Sequence, residues 1–102
     1  MVVLTQFILL INKNFPPQKF KMTEKDKRRL EKIGKNLLKI REKLGLSQDQ
    51  LAARCDVDRG KISKIENATA NHYVTTLIEI AKGLGIEPKK LLDVNFDLEN
   101  EE

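Results

Sequence analysis

From Thr23 onward the apolar residues fall at helical spacing. Leu30, Ile33, Leu37, Ile40 and Leu44 step by three and four, the stripe of one amphipathic helix. Thr23 suits its N-cap and Gly45 its left-handed end. Over residues 46–69, LSQDQLAARCDVDRGKISKIENAT, the apolar positions thin to Leu46, Leu51, Ala52, Ala53, Val57, Ile62 and Ile65, with Cys55 among them. They neither alternate as in a strand nor extend one stripe, so the pattern predicts two short helices broken at Asp56-Val57. Ser47 and Gln50 make a capping box for the first, which ends near Arg54 or Cys55. Asp58 caps the second, over 59–66. Val74, Leu77, Ile78, Ala81 and Leu84 mark a fourth helix, starting near Tyr73 or Thr75 and ending at Gly85. Pro88 opens a short fifth over 88–92. No segment of this body reads as a strand, and short connections require packing as one all-α unit.

Ahead of that body stands MVVLTQFILLINKNFPPQ. Its apolar run is too short to span a bilayer. It lacks the basic start and the cleavage site of a signal peptide. Val, Ile, Phe and Thr favour a strand at 2–11, ended by Pro16-Pro17. Two readings stay open: a strand arm that pairs across a dimer, or an upstream extension of the reading frame with Met22 as the biological start. The chain therefore divides into an N-terminal extension (1–22, disordered or strand-forming), a helical domain (23–92) and a tail (93–102).

Charge separates these parts. The chain of 102 residues carries a formal net charge of +4. Residues 23–46 hold nine Lys and Arg against four acids, and residues 93–102 hold five acids and no base. A basic body with an acidic tail favours a polyanion, either nucleic acid or an anionic membrane, although Lys-rich helix faces are also simply solvated. Cys55 is the only cysteine, which excludes an intrachain disulfide and suits a reducing, cytoplasmic setting. His72 is the only histidine. No metal-ligand spacing, triad or glycine-rich phosphate loop is present, so neither an enzyme nor a cofactor is expected.

Two short helices joined by a tight turn describe a helix-turn-helix. Ala52 is small enough for a close helix crossing. Asp56 tolerates the left-handed conformation such a turn uses. Val57 can plug the space beneath it, and Ile62 and Ile65 face inward. With Ile62 inward, Gly60, Ser63, Lys64 and Asn67 point outward, Arg59 lies at the edge and Lys61 on the other flank. That donor-rich face suits a DNA major groove, where Arg or Lys donates to guanine and Ser to several bases.

The stretch GKNLLKIREKLGLSQDQLAARCDVDRGKISKIENATAN resembles the phage-repressor/Cro-like, or xenobiotic-response-element-like, helix-turn-helix regulators. The resemblance covers about Ile33 to Leu92 and rests on LxLSQxxLA, VDxxxISKIEN and TLxxIAxxLGI. It implies a lambda-repressor-like fold of five helices that binds double-stranded DNA as a small transcriptional regulator. By position, it implies base contacts from Arg59, Gly60, Ser63 and Lys64. Gln48, Ser47, Lys61, Asn67, Thr69 and Asn71 take the phosphate-contacting places, Gln48 also bracing the reading helix. Arg41 and Glu66 match a buried inter-helix salt bridge, and Ala52, Asp56, Val57, Asp58 and Ile62 take structural places. The chain departs from the family at Asp56 and Ala68, where Gly is common, and at His72, where Pro is common.

Relatives of this type act as twofold dimers on inverted half-sites, which implies a homodimer, with Leu91, Leu92, Val94 and Phe96 as candidate interface residues. Two other readings place a protein partner first or beside DNA: an antitoxin holding a toxin, or a restriction–modification controller. A membrane-associated regulator using residues 2–11 is a third class, which the short apolar run disfavours.

Overall fold

The computed structural model describes residues 22–101. The strand expected at 2–11 lies outside them. Four α-helices follow one another: α1 (Glu24–Lys43), α2 (Gln48–Arg54), α3 (Arg59–Glu66) and α4 (Val74–Leu84). Two 3-10 turns close the chain, Pro88–Leu92 and Leu98–Asn100. No strand occurs among the described residues.

Local chemistry sets the helix bounds. Thr23 Oγ1 accepts from the Asp26 amide at 3.1 Å to start α1. Ser47 and Gln50 cap α2 reciprocally, at 3.0 Å and 2.7 Å. Asp58 Oδ2 accepts from the Lys61 amide at 3.2 Å to start α3. Each side chain satisfies an amide that the first turn leaves without a partner. At the far end of α1, Gly45 turns left-handed with φ 71°. The Leu46 amide then reaches Arg41 O and the Gly45 amide reaches Glu42 O. This double closure swings Leu46 into the core, where it is 8% exposed, and leaves Leu44 49% exposed. The expected stripe therefore ends one step early, because Leu44 sits where the backbone has already begun to turn. Gly85 (φ 70°) ends α4 the same way.

Leu37, Leu51, Ile62, Ile80 and Leu91 are fully buried, one from each packed element. Each contributes roughly 1.5–3 kcal/mol by leaving water. The helices cross closely at two glycines. A methyl group on Gly34 of α1 would run into the carbonyl oxygens of Ile65 and Glu66 in α3. One on Gly83 of α4 would press on Cys55 Cβ. Ala52, assigned to a close crossing by its size, packs half-buried against the core.

Three expectations change. Asp56 does not take the left-handed conformation: Cys55 leaves α2 in extended geometry (φ −138°, ψ 169°), which opens the turn without it. The positive φ instead falls on Ala68 (55°), just after α3, where the family commonly has Gly. The segment 88–92 is 3-10 rather than α-helical. It has room for little more than one turn, and Asn36 of α1 claims the Lys90 and Leu91 carbonyls at 2.8 Å and 3.0 Å. Finally, Leu91 is 0% exposed in the core, which removes it from any interface between subunits.

Candidate nucleic-acid interface

The platform for α3 is a buried polar clamp. Arg41 on α1 and Glu66 at the end of α3 meet in a two-point pair: Nε donates to Oε2 at 2.7 Å, and a terminal guanidinium nitrogen donates to Oε1 at 2.9 Å. The other terminal nitrogen donates to Leu46 O at 2.7 Å. Gln48, first residue of α2, donates to the same Glu66 Oε1 at 3.0 Å. One carboxylate thus ties α1, α2 and α3 together. The Glu66 hydrogen bond, with its charge, raises the Arg41 pKa above its ordinary value against the cost of burial, so the guanidinium stays charged. Gln48 is half-buried, and its amide nitrogen is held by the clamp.

On the outer side of α3 the side chains face water. Arg59, Gly60, Lys61 and Lys64 are exposed, and Ser63 is half-buried. Asn67 Nδ2 lies 3.3 Å from Ser63 Oγ and donates to it. The Thr69 amide donates to Lys64 O at 3.0 Å, holding the chain that leaves α3 against the helix end. Asn71 is exposed farther along that segment, and the Ser47 hydroxyl is engaged in its cap. Of the turn residues, Val57 is buried in the core cluster and Asp58 caps α3. Gly60 has ordinary helical backbone, and a methyl group there would meet only the Asp58 carboxylate tip, at 2.9 Å.

The structure adds residues that pattern did not single out. Asp49 Oδ1 stands 3.4 Å from Arg59 Nε, an exposed ion pair between the starts of α2 and α3. Asn36 and Gly34 hold α1 against the last core turn and α3. Gly34 had a visible signal, a glycine inside a helical stripe. Asp49 and Asn36 had none, since their partners lie far along the chain. His72 follows Asn71 and is half-buried in an apolar hollow with Ile33, Ile65 and Leu77. Its Nε2 is buried without a partner among the described residues, and burial, then Lys61 and Lys64, lower its pKa.

A family profile described as a helix-turn-helix domain matches residues 34–95. The chain belongs to this helix-turn-helix family. The control protein C.BamHI of Bacillus amyloliquefaciens is 43% identical over 62 residues, 60% of this chain and 76% of that protein. The crystal structure of the restriction–modification controller C.AhdI from Aeromonas hydrophila is similar at 34% identity, with a TM-score of 0.59, over 61% of this chain and 94% of that one. The controller C.Esp1396I, solved as a tetramer with its natural 35 base-pair operator, is similar at 32% identity and a TM-score of 0.56, over 64% of this chain and 96% of that one. The helix-turn-helix unit here is α2, its turn and α3. Among the described residues no helix is long and apolar enough to cross a membrane, and no group of His, Cys, Asp and Glu could hold a metal ion.

Proposed function

We propose that this protein is a transcriptional regulator of the restriction–modification controller type, reading duplex DNA with α3 in the major groove. The carrying observation is a recognition helix whose underside is locked by the Arg41–Glu66–Gln48 clamp while its outer face offers Arg59, Lys61 and Lys64 to a partner. A fixed underside and exposed donors above, with Arg59 held only by a solvated pair to Asp49, suit base readout. Arg59, Gly60, Ser63 and Lys64 face the bases in this reading. Gln48, Ser47, Lys61, Asn67, Thr69 and Asn71 run along the phosphates, Gln48 bracing the helix as well. The Gly60 position has no side chain, so readout there comes from backbone approach and DNA shape. Of the partner readings, control of a restriction–modification pair is supported by the relatives.

One unit covers too few base pairs for useful affinity, so the active form is a homodimer on an inverted repeat. With Leu91 withdrawn into the core, the candidate surface is the exposed apolar group Tyr73, Val74, Ile78 and Leu92, while Val94 and Phe96 are half-buried against the protein's own body. Residues 23–92 form the DNA-binding unit, with the tail outside it, and the expected setting is the cytoplasm. The test is selection of bound duplexes from a random library, followed by a salt titration. Enrichment of an inverted repeat, with log K falling linearly against log[salt], supports the reading. Recovery of no preferred sequence overturns it.

A further inference from the structure

The acidic end of the chain returns to the basic half of α1. There Lys25, Lys27, Arg28, Arg29 and Lys32 stand against three acids. Glu101 has a side chain only 12% exposed, and Arg29 Nε donates to its Oε1 at 3.1 Å. Its Oε2 is also 2.9 Å from that nitrogen but off the N–H direction, so among the described residues this buried oxygen is held by charge without a hydrogen bond. The tail is ordered on its way: the Asp97 amide donates to Asn95 Oδ1 at 2.9 Å, and Asn100 Nδ2 to Asp97 Oδ1 at 2.7 Å. Arg28, Arg29 and Lys32 share one groove with Asp97 and Glu101. The adjoining groove joins Arg29 and Leu30 to Phe96, Leu98 and Asn71. Asn71 belongs to the segment assigned above to the DNA backbone. Arg29 and Asn71 therefore border one mostly apolar groove, which Asp26 also lines and which the tail enters through Phe96 and Leu98.

We propose that the basic face of α1 is a second phosphate-binding site centred on Arg29, occupied in the free protein by Glu101 and opened when duplex DNA displaces the tail. The proposal rests on the DNA-binding reading. A carboxylate and a phosphodiester both accept from a guanidinium, so one can stand in for the other. A tethered carboxylate acts at an effective concentration on the order of millimolar. That is enough to outcompete scattered phosphates, while a duplex aligned by α3 presents its phosphates together and wins. The tail thereby holds down binding to unrelated DNA.

The test measures binding of the full chain to the selected operator and to an unrelated duplex across a salt series, with thermal melts of every variant. Glu101→Gln should tighten the unrelated duplex by about two- to five-fold at low salt, the worth of one weak ion pair. Glu99→Gln removes the same charge from an exposed tail position and should leave affinity near the parent's. Adding Arg29→Gln to Glu101→Gln should abolish the gain and reduce the salt slope by about 0.9, one phosphate. No tightening by Glu101→Gln, equal tightening by Glu99→Gln, or a gain that survives Arg29→Gln would each overturn the gate while the parent still binds DNA. A parent that binds no duplex at any salt would overturn the DNA reading and the gate together.

Discussion

Among the described residues two ion pairs involve α3, and they differ in kind. At its end, Glu66 is 4% exposed in the side chain and meets Arg41 at 2.7 Å with two hydrogen bonds. At its start, Arg59 and Asp49 are 64% and 79% exposed and stand 3.4 Å apart. The first pair has lost its water, and an unmet charge there costs stability, so both carboxylate oxygens accept hydrogen bonds, Oε1 from Arg41 and Gln48 and Oε2 from Arg41. The second keeps its water, contributes little, and can be exchanged for another anion without penalty. One helix thus has a fixed end that orients it and a free end available to a ligand.

Breaking the buried pair should have the largest effect. Glu66→Ala leaves Arg41 buried without its counter-charge and frees Gln48, and stability should fall by roughly 3–5 kcal/mol. A thermal melt matching the parent's would mean that the clamp does not hold α3. Gly34→Ala tests the same end through sterics. Its methyl group has only backbone to push against, so the cost should reach about 1–3 kcal/mol. A denaturant titration with an unchanged midpoint would sink that close crossing.

At the free end the effects move from stability to binding. Arg59→Ala should leave the melt near the parent's yet lose about 1–3 kcal/mol of discrimination between operator and mutated operator. Gln48→Ala, by contrast, should weaken all sequences alike, since phosphate contacts carry no base information. If Gln48→Ala reorders the operators while Arg59→Ala does not, the two assignments are exchanged.

His72 gives the comparison a pH axis. Its folded pKa lies below 6.5 because burial, then Lys61 and Lys64, disfavour the cation, with Asp58 opposing. The folded state therefore binds fewer protons than the unfolded state. The contribution is complete above about pH 6.5 and is lost as pH falls below it. Melts between pH 7.5 and 5.5 should show this decline in the parent and less of it in His72→Gln; equal slopes would remove His72 as its source. The smallest effect belongs to Asp49→Ala, which should change stability by under about 1 kcal/mol. A larger loss would show that the exposed pair orients the start of α3 after all.

What the amino-acid sequence determined alone was short-range. Thr23, Ser47, Gln50 and Asp58 cap their helices through bonds reaching three residues, and Gly45 and Gly85 end theirs by a conformation other residues resist. Such signals are complete within one turn of chain, so the four α-helices and the helix-turn-helix were legible. The family resemblance, carried over by position, also paired Arg41 with Glu66. Only the tertiary structure decided which of Leu91 and Leu92 enters the core, why Gly34 must lack a side chain, and that Asn36 holds the last core turn in 3-10 form. It also brought Asp49 to Arg59 and Glu101 to Arg29, partners 10 and 72 residues apart. Those outcomes depend on where two distant surfaces meet, and helical periodicity specifies an inward face without specifying which atoms lie opposite it.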